Sequence, residues 1–268
     1  MRWVCFVILV VACKFTPPSA LSDAPIDTPI DVPIDTPIDM STGGRTGNPS
    51  ALWTFTETSG NTVGDSVPGN PITLTLSPTS MVTQAVGGLT FDARSTAVSA
   101  PTPHINAEVK SSGAVTLEAW VTPANDTQGG TSYSVIAAVS VSIMLRNIGL
   151  EQRGNTWAAR ARTGATTVNA DPEIVRTAVD LTKPTHLVVV ADATKRVLYV
   201  NGLPYMSMPI GNGTMTSWDP NYKLRFGDED SADRHWLGTL WLVAIYDEAL
   251  SDADIMQNFL AGHDCSSC

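Results

Sequence analysis

Positive charge is scarce in this chain: 16 Lys and Arg stand against 26 Asp and Glu, a formal net charge of -10 over 268 residues. No cluster of basic side chains exists to neutralise phosphates, which argues against nucleic acid as a partner. Cysteine is nearly absent, with four residues at positions 5, 13, 265 and 268. The body of the protein must therefore be held by its own hydrophobic core, and a domain of this size buries roughly 70% of its unfolded surface without needing a staple. No apolar run reaches the roughly 20 residues that a membrane-spanning helix requires; the longest at the front, Trp3 to Val11, is far shorter. What the chain does have is 43% hydrophobic residues with 20 Gly and 18 Pro, the composition of many short strands joined by turns.

The front divides from the rest by composition. Residues 1–20 read as a targeting segment, Arg2 preceding the short apolar stretch. That stretch ends Val10-Val11-Ala12-Cys13, which resembles a bacterial lipobox and makes Cys13 the expected lipidation site, with ordinary cleavage near Ala20 as the alternative. Residues 21–48 form a linker in which Pro-Ile-Asp-X is repeated four times from Pro25 to Met40. Proline at every fourth position forbids a helix, and the recurring Asp keeps the segment solvated, so it is expected to be disordered and extended. In polyproline geometry, Cys13 to Asn48 would reach on the order of 100 Å. A spacer of that kind suits a globule held away from a membrane. The expected location is the bacterial envelope, outer membrane or cell surface, with free secretion as the alternative; membrane contact comes only through the anchor.

Residues 49–263 carry the domain, and a tail, 264–268, holds Cys265 and Cys268. In an exported chain these two are expected to form a small disulfide; a zinc site with His263 and Asp264 is the competing reading of the same tail. Strands are expected at 52–57, 72–76, 89–92, 115–122, 134–141, 142–152, 157–162, 186–192, 196–200, 203–208, 223–227 and 236–246. Asn201-Gly202 between two of them is a strong hairpin signal, because a type I′ turn needs two positive φ angles. From Trp236 to Tyr246 both alternating sets of side chains are apolar, Leu237, Trp241, Val243 and Ile245 against Leu240, Leu242, Ala244 and Tyr246, which implies a strand covered on both faces. Ser251 lies three residues before Asp254, a capping-box spacing, and Gly262 follows as the stop of one short C-terminal helix.

These segments resemble the laminin-G-like, concanavalin A-like jelly roll. The likeness runs through Leu52-Trp53-Thr54-Phe55, Gly88-Leu89-Thr90-Phe91-Asp92, Thr116-Leu117-Glu118-Ala119-Trp120-Val121, the 185–202 hairpin and the 235–262 strand and helix. It implies an all-β, antiparallel two-sheet sandwich. It is less informative about function, since the same sandwich carries lectins, adhesion modules and hydrolases.

Glucanases of this architecture resemble one another in a Glu-x-Asp-x-x-Glu strand, whose period-two spacing puts acid and nucleophile on one face. No such strand is present, nor a Gly-x-Ser-x-Gly, and His104, His186, His235 and His263 have no partner at informative spacing. Catalysis is therefore not expected. The acidic run 228–233 reads as a solvated loop. Relatives place a calcium-binding acidic pair in the last long strand; here the aligned stretch is Gly238-Thr239-Leu240-Trp241-Leu242-Val243, with Trp and Leu in both places. Calcium then has two other candidate sites: Asp228, Asp230 and Asp233, or Glu57 and Asp65, the latter also readable as a turn cap.

Trp53, Trp120, Trp236 and Trp241 read as core. Tyr133, Trp157, Trp218 and Tyr222 lie near turns and are candidates either for a rim that stacks on sugars or for plain seals of those turns. The expected function is a non-catalytic extracellular module that binds a glycan or a surface protein. The alternatives are a divergent glycosidase or lyase acting through 228–233, and a structural envelope component.

Overall fold

The computed structural model describes residues 44–177, 180–209, 213–229 and 233–264. Cys13, Cys265, Cys268, Asp230, the 1–20 segment and the Pro-Ile-Asp repeats lie outside the described residues. In chain order the elements are β1 (Ala51–Trp53), β2 (Thr62–Gly64), β3 (Thr73–Ser77), β4 (Val82–Ala85), β5 (Gly88–Phe91), β6 (Thr96–Pro101), α1 (Pro103–Ser112), β7 (Val115–Pro123), β8 (Ser134–Ser142), β9 (Leu145–Arg153) and β10 (Thr156–Ala161). They continue with β11 (Ile174–Thr177), β12 (Thr185–Ala191), β13 (Lys195–Val200), β14 (Leu203–Pro209), β15 (Lys223–Phe226), β16 (Gly238–Tyr246) and α2 (Asp252–Ala261).

The strands form two antiparallel sheets of eight. One runs β14-β13-β12-β7-β16-β5-β4, with β1 also paired to β16; the other runs β11-β10-β9-β8-β15-β6-β3-β2. This is the expected jelly-roll sandwich. Alternation along each strand sends one set of side chains into the shared core. Leu117, Ala119 and Val121 of β7 meet Ile148 and Leu150 of β9 and Leu224 and Phe226 of β15 there. Trp53 stands edge-on to Phe226 at 5.4 Å, a geometry worth about 0.5–1.5 kcal/mol beyond burial alone.

The local signals hold where the chemistry is local. Asn201 and Gly202 take φ of 52° and 76° between β13 and β14. Ser251 accepts from the Asp254 N–H while Asp254 accepts from the Ser251 N–H, closing the capping box of α2, and Gly262 ends the helix by donating to Phe259. The strand at 236–246 is covered on both faces, but its phase differs from the reading above. A β-bulge at Trp241, between Leu240 and Leu242, shifts the register against β7. Leu240 therefore joins Val243 and Ile245 in the inner core, while Trp241 packs on the outer side with Leu242, Ala244 and Tyr246. Trp241 is partly exposed rather than core, with its indole N–H donating to Thr122 at 2.9 Å.

A second helix, α1, stands where none was expected. Pro103 opens it, Ile105 and Val109 bury one face a turn apart, and Gly113 closes it in the left-handed conformation. Four strands, β2, β4, β6 and β11, are also additional to the expected set.

Outside the first sheet, α2 covers a buried polar cluster centred on Glu118 of β7. Its carboxylate meets His186 Nε2 at 2.7 Å, the Tyr246 hydroxyl at 2.9 Å, Asn258 Nδ2 at 3.2 Å and the Arg45 guanidinium. Burial pushes the Glu118 carboxyl up, but Arg45 and His186 outweigh it and hold it at about 2. Arg45 also donates to the Gly262 carbonyl at 3.1 Å, so the start of the domain is clamped to the end of α2.

Candidate functional site

The groove of interest begins with two glutamines. Gln128 Nε2 donates to Gln152 Oε1 at 2.8 Å and to the Leu237 carbonyl at 3.0 Å, while its Oε1 accepts from the Leu237 N–H at 2.6 Å. Gln152 Nε2 donates to the carbonyls of Asn125 and Gly154, and its Oε1 accepts from the Trp236 indole at 2.8 Å. This buried amide lattice locks the 124–128 loop after β7 onto the β9–β10 turn. Asn125 tightens the same loop by accepting from the Thr127 and Gln128 N–H groups, both at 3.0 Å. Because the lattice is satisfied internally, the loops above it are fixed before any ligand arrives.

Across from these loops lies the 180–184 stretch that leads into β12. Asp180 accepts from the Thr182 N–H at 2.9 Å and its hydroxyl at 2.6 Å, bonds that hold its carboxyl below the usual carboxylate range. Between the walls lie two adjoining lobes that share Asp180. The larger, about 530 Å³, is lined by Thr122 to Asp126, Asn155 and Asp180 to Thr182. The smaller, about 360 Å³, is bounded by Arg176, Lys183, Asn201 and Phe259, with Trp157 in its lining. Among the described residues the side chains of Asp126 and Asn155 make no hydrogen bond. Hydroxyls, amides and carboxylates at an exposed rim over a rigid base are the groups that exchange hydrogen bonds with a polyhydroxylated ligand.

Of the two readings of the turn aromatics, an exposed rim is not what the fold presents. Tyr133, Trp157, Trp218 and Tyr222 are all buried, at 6%, 2%, 2% and 6% exposure. Three of them have their polar or π face occupied from within: Arg153 lies over the Tyr133 ring at 4.4 Å, the Trp218 indole donates to the Arg162 carbonyl at 2.8 Å, and Arg162 donates to the Tyr222 hydroxyl at 3.4 Å. Only Trp157 reaches the groove, as part of its lining.

Nor is the 228–229 part of the acidic run solvated. Asp228 and Glu229 are 3% and 2% exposed. Glu229 accepts from Arg146 Nη2 at 2.6 Å and Nε at 3.2 Å on the outer face of the second sheet. Arg146 Nη1 stands 2.7 Å from Glu151, whose other oxygen accepts from Arg160, and Arg160 continues to Asp171 and Glu173. Such a chain of buried alternating charges holds loops 163–173 and 227–229 against the sheet.

Glu57, Asp65 and Asp228 are engaged by partners within the protein rather than gathered as calcium ligands. Asp228 is turned to Arg94 and to the Glu229 N–H, and a guanidinium neighbour competes with a hard cation; Asp233 is exposed. The Asp65 oxygens accept from the N–H groups of Leu52, Val67 and Ile72, and Glu57 accepts from the Gly64 N–H, so both act as turn braces. No group of three or more His, Cys, Asp or Glu able to hold a metal occurs among the described residues. In the last long strand, Trp241 lies against Gly88 and Leu242 is buried, filling the place of an acidic pair. His263 Nδ1 is 3.2 Å from Asp264.

A second cleft, about 310 Å³, lies at the other end of the β7–β16 pair, lined by Asn48, Asn70, His104, Glu108 and Asp247 among others.

Residues 92–256 match the family model described as the Concanavalin A-like lectin/glucanases superfamily. A comparison with curated protein sequences gives no match. Among solved structures, Trypanosoma rangeli sialidase with 2,3-difluorosialic acid, a covalent intermediate, superposes with a TM-score of 0.58 and 18% identity, over 80% of this chain and 33% of that one. The same sialidase with sialic acid gives 0.57 and 16%, over 79% and 32%. The receptor binding domain of botulinum neurotoxin C/D mosaic serotype gives 0.62 and 12%, over 79% and 51%. The chain thus spans about a third to a half of the length of these structures, and at such identities the likeness is one of fold.

Proposed function

The chain belongs to the Concanavalin A-like lectin/glucanases superfamily, and from that membership we propose that it is a non-catalytic binding protein that recognises carbohydrate in the groove between the 122–126 loop, Asn155 and the Asp180–Thr182 segment. The observation that carries this reading is the pairing of a pre-formed polar groove with the amide lattice of Gln128 and Gln152 beneath it. Shallow, rigid clefts with a few convergent polar groups bind at low ordering cost.

The non-catalytic half of the proposal rests on how the carboxylates are used. Glu118, Glu151 and Glu229 each face at least one arginine, and the Glu118 carboxyl is held far below the range of a general acid. The groove carboxylates, Asp126 and Asp180, sit in the open, and Asp180 is held ionised by Thr182.

The proposal extends to place. A lipid on Cys13 and the acidic, proline-punctuated linker would hold the domain outward from an envelope, where glycans and surface proteins are its available partners.

Binding of the purified protein to an array of glycans tests the reading. Signal on a defined set of glycans, weakened at least tenfold by Asn155→Ala, is expected. Absence of signal across the array, or release of reducing ends from any bound glycan, would replace it with the protein-partner or enzymatic alternative.

A further inference from the structure

The two lobes of the groove differ in charge, and the difference selects a ligand class. Among the described residues the ionisable groups lining the larger lobe are Asp126 and Asp180, with no Lys or Arg. In the smaller lobe, among the same residues, Arg176 and Lys183 face Asp180 as the one carboxylate. On a chain of net charge -10, a cleft with a local excess of cations departs from the rest of the surface.

Arg176 differs from the arginines that hold the fold. Arg45, Arg94, Arg146 and Arg160 are each paired with carboxylates of the protein itself. Arg176, on β11, makes no ion pair among the described residues; its guanidinium lies over the Tyr205 ring of β14, 4.6 Å from the centroid. Stacking on an aromatic ring fixes the plane of the fork while leaving its N–H edge free, the arrangement suited to bidentate recognition of a carboxylate. Lys183 adds a second cation. Its side chain is 79% exposed and its ammonium is 3.4 Å from Asp180, an exposed pair that is weak and easily exchanged. Asp180 meanwhile is also held by two hydrogen bonds from Thr182.

Resting on the carbohydrate reading above, we infer that the smaller lobe reads a sugar carboxylate through Arg176, assisted by Lys183, and that the preferred ligand is an acidic glycan with its carboxylated unit there and a neutral unit in the larger lobe. Asp126 and Asp180 set the polarity. They repel a second carboxylate from the larger lobe, so a glycan carrying an acid on every residue binds less well than one in which acidic and neutral units adjoin. Both uronic acids and sialic acids present the required group.

The test is calorimetric titration of the full protein with three ligand pairs: a uronic-acid-containing tetrasaccharide and its carboxyl-reduced form, sialyllactose and lactose, and an oligogalacturonate and its carboxyl-reduced form. At least one of the first two acidic ligands is expected to bind about tenfold tighter than its neutral partner. Arg176→Gln should abolish that preference, Arg176→Lys should restore part of it, and Asn155→Ala should weaken acidic and neutral forms together. Equal affinity of acid and neutral forms would overturn the carboxylate assignment while leaving carbohydrate binding intact. A preference that survives Arg176→Gln would overturn the role of Arg176. No binding of any ligand, with the glycan array also blank, would remove the carbohydrate reading and this inference with it.

Discussion

Replacing Glu118 by glutamine removes the charge around which Arg45, His186, Tyr246 and Asn258 are gathered. The Glu118 carboxyl falls from an ordinary 4.5 to about 2 in the folded protein. A tenfold change in proton affinity between the folded and unfolded chain is worth about 1.36 kcal/mol, so ionised Glu118 contributes about 3 kcal/mol of stability. The sign follows from the depressed folded value. That contribution is fully present above the unfolded value near 4.5 and is lost as pH falls through 2. Glu118→Gln is therefore expected to lose about 3 kcal/mol at pH 7, because Arg45 is left buried without its counter-charge, and Arg45→Met in the same chain should return part of the loss. Urea denaturation followed by tryptophan fluorescence, at pH 7 and at steps from pH 5 to pH 2, measures both effects. The gap between wild type and Glu118→Gln should close as the pH descends through that window. A variant within about 1 kcal/mol of wild type at pH 7 with a parallel acid profile would refute the cluster as a source of stability.

Gln152→Leu should cost about 2 kcal/mol or more, since it strands the Trp236 indole and Gln128 amide inside the protein, and it should also weaken glycan binding by loosening the 124–128 loop; intact affinity would show that the loop is held by other means. Cys13→Ser is expected to abolish incorporation of labelled palmitate and to release the protein from the membrane fraction on expression in a bacterial host, whereas an unchanged membrane fraction would disprove the lipid anchor.

What could be read in the sequence was whatever its near neighbours decide. The Asn201-Gly202 turn and the Ser251–Asp254 box are fixed by residues within three positions of each other, and both stand in the fold as expected. The two-sided burial of β16 was legible from its composition. Its phase was not, because the bulge at Trp241 is set by pairing with β7, more than a hundred positions away. Pro103 and Gly113 were available signals for α1, yet the helix between them is mostly polar, with only Ile105, Asn106 and Val109 buried, and offers little periodicity to see. Of the strands that went unread, β2 has three residues, and Val82–Ala85 lies at a sheet edge with no position fully buried.

The candidate site was harder for a related reason. Trp218 and Tyr222 flank Pro220 and look like turn residues, but exposure depends on what packs above them, and Arg162, some sixty positions earlier, supplies their polar partner. The groove draws on Asp126, Asn155, Arg176, Asp180 and Asn201, which share no motif and meet only because β7, β10, β11, β12 and β13 end at the same edge of the sandwich. Arg176 looks ordinary in sequence; its stacking on Tyr205 of another sheet sets it apart.

Carbohydrate recognition in that groove is tested most directly by photo-crosslinking the protein to the best-binding array glycan carrying a diazirine, then mapping the adducts by mass spectrometry. Adducts confined to peptides containing Asn125–Asp126, Asn155 and Asp180–Lys183 are expected. Adducts at the His104–Glu108 cleft or on the Arg146 face of the second sheet, with none in the groove, would contradict the account.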